Sequence, residues 1–161
     1  MMDLTVTAEH RWLHRLVGEW TSEAECVMGP GQPAATMRGR ESVAALGDVW
    51  VIGRGEGEMP GGGTGHTVIT LGYDPAKGRF VGNFVGSMMN MMWLYEGALD
   101  AEGRVLTLDS HGPDFGKPGR MALYQDIIEL QSADARSMTS RMQDADGAWH
   151  HVMTARYRRV G

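Results

Sequence analysis

The sequence predicts an all-β protein: an antiparallel up-and-down barrel of about ten strands, preceded by one short helix. Three observations carry this. Beyond residue 18 the hydrophobic pattern repeats every two residues, the period of a strand with one buried face. Short clusters of Gly, Pro, Asp and Ser interrupt the pattern at nearly regular spacing, and most are short enough to close hairpins. So many short strands joined in this way favour a sandwich or a barrel, and closure removes the exposed edges.

The helix is read over about 8–16, where Leu13, Leu16 and Val17 recur at helical spacing after Thr7, a good N-cap residue, and it stops at Gly18. Strands are read near 18–28, 36–46, 49–58, 66–73, 79–86, 91–99, 104–111, 121–130, 135–143 and 149–159. In the first of these Trp20, Ser22, Ala24, Cys26 and Met28 share one face, and Glu19, Thr21, Glu23 and Glu25 the other. Turns fall at Gly47-Asp48, at Asp74-Pro75-Ala76-Lys77-Gly78, at Asp100-Ala101-Glu102-Gly103, at Ser132-Ala133-Asp134 and at Asp144-Ala145-Asp146-Gly147. Two segments read as long loops, the glycine-rich 53–65 and the Gly/Pro-rich 111–119, and at one end of a barrel they would flank its mouth. On the third strand Gly53, Gly55 and Gly57 share a face opposite Arg54, Glu56 and Glu58, which turns a row without side chains inward. Such a row makes room for a ligand, for a bulky Trp93 or Trp149, or for a bend in the barrel.

A length of 161 residues fits one domain, 1–161. Twenty Asp plus Glu against 15 Lys plus Arg, a net charge of −5, gives no electrostatic reason to bind nucleic acid or an anionic membrane. The single cysteine, Cys26, cannot form an internal disulfide, and the start MMDLTVTAEH lacks the pattern of a secretory leader, so the expected location is cytoplasmic. No apolar run reaches the roughly 18 residues of a membrane-spanning helix. The partners left open are a small apolar molecule and further copies of the chain. Thirteen methionines, more than the leucines, imply an interior filled by flexible, polarisable side chains.

The run Leu16-Val17-Gly18-Glu19-Trp20, between helix and first strand, resembles the G-x-W start of the calycin superfamily, which includes lipocalins and fatty-acid-binding proteins. That resemblance implies a calycin-like barrel with Trp20 closing one end against a basic residue of the last strand, and Arg156, Arg158 and Arg159 lie on that run to supply it. More of the chain resembles a bacterial family of unknown function, DUF1579. The matching runs are Leu16 to Trp20, Leu71-Gly72-Tyr73-Asp74, Tyr95-Glu96-Gly97 with Leu106-Thr107-Leu108, and Ala155-Arg156-Tyr157-Arg158-Arg159. The chain departs at Gly86-Ser87-Met88-Met89, where such proteins often carry Asp-Ser. The resemblance implies a barrel and no activity.

Candidate chemistry must then come from residues. Met88-Met89-Asn90-Met91-Met92-Trp93 offers soft thioethers, which suit Cu(I) if Cys26 or His111 joins them, but the same residues suit an adaptable apolar pocket or ordinary packing. His10 and His14 share a helix face at metal-site spacing without the Glu of a zinc-protease motif, and the simpler reading is a solvated face. By alternation His151 falls with Trp149, Met153, Ala155 and Tyr157, and so faces inward. An inward histidine in a ten-stranded calycin-like barrel is similar to the nitrobindins, whose haem iron is held by one histidine. That resemblance implies a haem or redox alternative through His151, walled by Met138, Met142 and Met153.

Glu96, Asp109, Asp126 and Arg141 are polar residues within strands, and an inward carboxylate or histidine among such residues would serve a small-molecule enzyme as general base. Asp109-Ser110-His111 has triad residue types, but consecutive strand positions alternate faces and cannot form the relay. The expectation is a barrel that binds a small, mainly apolar molecule, with Trp50, Met92, Trp93, His111, Met138, Met142, His151 and Met153 as wall residues. Trp20, Arg156 and Arg158 close the barrel end, and neither a metal site nor a required cofactor is expected.

Overall fold

The computed structural model describes residues 4–161; residues 1–3, where the MMDLTVTAEH segment begins, lie outside the described residues. A short helix, α1 (Ala8–His14), is followed by ten strands. They are β1 (Gly18–Cys26), β2 (Ala35–Leu46), β3 (Trp50–Glu58), β4 (Thr64–Asp74), β5 (Arg79–Gly86), β6 (Trp93–Leu99), β7 (Val105–Pro113), β8 (Met121–Leu130), β9 (Ala135–Gln143) and β10 (Trp149–Arg159). Each strand pairs antiparallel with the next, and β10 returns to pair with β1, closing the barrel. The up-and-down order puts α1 and four turns at one end. The β1–β2, β3–β4, β5–β6, β7–β8 and β9–β10 connections lie at the other, here called the mouth.

Several expected boundaries move. The helix ends at His14, and Leu16 and Val17 continue in a tighter turn bonded to Leu13 and His14. The two expected long loops are short, 59–63 and 114–120, because β3, β4 and β7 run further than their glycines suggest; both do lie at the mouth. Met88 to Met92 form a loop, with β6 starting at Trp93.

Thr7 caps α1 with a capping box in which histidine replaces the usual Glu or Gln. The His10 backbone N–H donates to Thr7 Oγ1 at 3.4 Å, and the Thr7 backbone N–H donates to His10 Nδ1 at 3.0 Å. With Nδ1 accepting, the ring proton sits on Nε2 and is donated to the Tyr73 carbonyl at 2.9 Å. His10 is thus buried against β4, not on the solvated face expected for it and His14.

The helix turns Leu13 and Leu16 into the barrel end, where Trp20, Val43, Val51, Leu71, Phe80, Leu106, Leu108 and Ile128 complete the main core. Trp20 is 1% exposed, and its Nε1–H donates to the Leu16 carbonyl at 2.9 Å. Arg159 closes this end: Nη1 donates to the Val17 carbonyl at 2.5 Å, Nη2 to the Arg15 carbonyl at 2.9 Å, and its guanidinium lies 4.3 Å from the Trp20 ring centre. Three carbonyls left over at the helix end are thereby satisfied. The cations beside the buried Trp20 ring are Arg159 and Arg136, not Arg156 and Arg158, which point outward from β10.

Gly18 explains the first residue of the G-x-W run. Its φ is +143°, and a Cβ there would lie 2.2 Å from Arg159 Nη1. Gly18→Ala is expected to lower stability by about 2 kcal/mol through strain and a displaced Arg159, readable as a lower urea midpoint with unchanged slope.

The last strand corrects the histidine assignment. His151 pairs with Arg141, but Met153 pairs with Ser140, so Val152 is an extra residue in a β-bulge. The bulge reverses the alternation, and His151 faces out, its Nε2 2.7 Å from Thr154 Oγ1. His150 lies at the rim, 2.6 Å from Asp144 Oδ2.

Candidate functional site

The barrel interior has two unlike halves. Towards the mouth, on the β5–β9 side, Trp93, Ala122 and Tyr124 pack with Phe84, Met89, Met91 and Met142 into a second core cluster. Trp93 lies over Gly112, where a Cβ would be 2.1 Å from its ring, stacks edge-on to Tyr124 at 4.8 Å, and donates its N–H to Met89 sulfur at 3.1 Å. Beneath this cluster Asp126 accepts from Ser140 Oγ at 2.6 Å and from the Tyr95 hydroxyl. Burial pushes the Asp126 carboxyl above its ordinary range, against the pull of those two bonds, and burial beside Asp126 pushes the Tyr95 hydroxyl strongly up.

The other half is open. A partly enclosed cavity of about 190 Å³ lies between the helix end and the middle of the barrel, with Leu16 at its floor. Val43, Val51, Ile69, Leu71, Phe84, Ile128, Met138 and Met153 make most of its wall apolar. Gly53 belongs to that wall, while Gly55 and Gly57 line a chamber of about 300 Å³ that leads on to the mouth. Glu41, Thr67, Phe84, Met153 and Tyr157 border both spaces. The inward glycine row therefore makes room in the interior, while Trp93 lies over Gly112 and Trp149 lies against Arg141, 4.2 Å from ring centre to guanidinium. Met59 and Met88 cover the mouth: a Cβ on Gly65 would lie 2.5 Å from Met59 sulfur and 2.9 Å from Met88 Cε. A surface depression of about 880 Å³ elsewhere is open and lined largely by outward Thr21, Glu23, Arg38, Arg156 and Arg158.

A small polar cluster interrupts the apolar wall. Arg136 on β9 and Glu41 on β2 form an ion pair inside the barrel, their side chains 4% and 13% exposed. The guanidinium lies 3.9 Å from the centre of the Tyr157 ring and 4.5 Å from that of Trp20. Burial, then the nearby Glu41 carboxylate, push the Tyr157 hydroxyl up to about 12, so it remains a neutral donor at physiological pH.

Of the expected wall residues, Met138 and Met153 line the cavity. Trp93 and Met142 are inside but belong to the second cluster. Four expectations fail. Trp50 lies outside, over Gly72, whose missing side chain lets the indole lie flat on β4. Met92 is exposed in the β5–β6 loop, His111 alternates outward between inward Ser110 and Gly112, and His151 is turned out by the bulge. With His151 outside, neither ring nitrogen faces the cavity, and the haem alternative loses its ligand. Glu96 and Asp109 also point outward, to Lys77 and Gln125. Sequence reasoning missed Glu41, Arg136, Tyr157 and Thr67. Alternation held the signal, since Glu41 shares a face with Val43 and Arg136 with Met138.

The molecule is a closed ten-stranded barrel with an internal cavity. The chain belongs to the family described as protein of unknown function (DUF1579), which matches over residues 5–159. No curated protein matches it. Among solved structures it is similar to Rv2717c from M. tuberculosis, with a TM-score of 0.67 and 13% identity over 98% of this chain and 100% of that one. It is also similar to EF1p2_mFAP2b bound to DFHBI (TM-score 0.51, 12% identity, 95% and 100% covered). A de novo designed fluorescence-activating beta barrel is a third (TM-score 0.50, 12% identity, 91% and 95% covered). At such identities the likeness is one of fold. No helix among the described residues is long and apolar enough to cross a membrane.

Proposed function

We propose that this protein binds a small, mainly apolar molecule within a calycin-like barrel. The observation that carries the reading is the divided interior: one half is filled by Trp93, Tyr124 and methionines, while the other is kept open by a glycine row and bounded by apolar side chains. Barrel interiors that serve only stability fill with side chains, whereas concave apolar spaces with a few polar groups suit small ligands. That EF1p2_mFAP2b, a barrel of similar fold, is bound to DFHBI is consistent with such use. The G-x-W run with its Arg159 clamp supports the calycin-like assignment.

Saturable fluorescence enhancement of the neutral apolar probe N-phenylnaphthylamine, one per chain, is the expected result. Thr67→Phe, which fills the passage between cavity and chamber, is expected to weaken binding at least about tenfold with an unchanged circular dichroism spectrum. Equal binding by wild type and a folded Thr67→Phe would place the probe elsewhere and refute the reading.

A further inference from the structure

We infer that the ligand is an uncharged molecule with a hydrogen-bond acceptor at the end that meets Arg136 and Tyr157. The inference rests on the proposed binding function and adds the chemical class. Both residues line the cavity with Glu41, and the remaining wall is almost wholly apolar. A guanidinium has only donors, and Arg136 is not fully used: one nitrogen serves Glu41, while its Nε–H has no hydrogen-bond partner. An unmet buried donor is a standing cost that a purely apolar guest would leave in place. The protonated Tyr157 hydroxyl adds a second donor to the same stretch of wall.

The charge of this wall is already balanced, one cation against one anion. A carboxylate guest would lose its hydration, meet Glu41 as a like charge, and bring a net negative charge into a poorly solvated space. A ketone, an ether or an aromatic nitrogen loses far less hydration and still accepts from the donors. The wall therefore discriminates for a neutral acceptor and against both an anion and a plain hydrocarbon.

The test is displacement of N-phenylnaphthylamine from the wild-type protein at neutral pH by nonane, its methyl ketone and nonanoate. The ketone is expected to displace at a concentration at least about tenfold lower than either of the others. Glu41→Gln, which leaves the Arg136 charge without its partner, is expected to reverse the order and put nonanoate first. If that variant does not fold, the wild-type order decides alone. Nonanoate matching or surpassing the ketone on wild type, or nonane equalling it, overturns the inference while leaving the binding function standing. Failure of the probe itself to bind overturns the binding function and the inference together.

Discussion

Arg136→Met is expected to cost about 3–5 kcal/mol of stability, the range found when one partner of a buried ion pair is removed. The guanidinium is held on the inner barrel face by the Trp20 and Tyr157 rings and by Glu41. Methionine would keep much of the packing but leave Glu41 as an uncompensated carboxylate among apolar side chains. Most of the loss is therefore due to that charge, not to the missing contacts. It follows that Glu41→Gln with Arg136→Met should lose less than the two single variants added together. Urea unfolding of the four proteins gives the coupling directly. Strict additivity would mean that the two side chains do not depend on each other, against what the geometry requires.

The second large effect is at Asp126. Asp126→Leu removes the acceptor of two interior hydroxyls, the buried Tyr95 and the partly buried Ser140, and is expected to cost roughly 2–5 kcal/mol. Asp126→Asn keeps an acceptor and a similar shape and should cost less. It should also change the pH dependence. Burial raises the folded-state pKa of Asp126 above its ordinary 3.8, so the folded protein binds this proton more tightly than the unfolded chain. That contribution favours folding fully below pH 3.8, and is lost as pH rises from there through the folded-state value. Relative to the wild type, Asp126→Asn should therefore gain stability as pH rises through that window, measured by urea midpoints across the acid range. A difference between the two that stays constant with pH would contradict a raised carboxyl.

Much of the architecture was legible because alternation and turn chemistry are local. All ten strands lie close to where period-two runs end at Gly, Pro and Asp clusters, and Trp20 stands where its G-x-W context suggests. The failures have specific physical causes. One extra residue at Val152 reverses the face of His151, and nothing in the run His150-His151-Val152-Met153 announces a bulge. Hydrophobicity alone turns Trp50 inward, although its cross-strand partner Gly72 offers a flat seat outside the barrel. Arg159 acts at the strand end, where the chain leaves the sheet, so alternation on β10 could not single it out from Arg156 and Arg158. The buried pair Glu41–Arg136 joins residues 95 positions apart. Alternation turns each of them inward, but only barrel closure brings the two together.

The methionines provide the most direct measurement of the central claim, that the open half of the barrel is a binding site. In a methyl-labelled sample titrated with N-phenylnaphthylamine, the Met138 and Met153 resonances, from the cavity wall, should shift saturably with one equivalent. Those of the exposed Met28, Met92 and Met121 should stay still. Shifts confined to the exposed methionines, or no saturable shift at Met138 and Met153, would contradict an interior site.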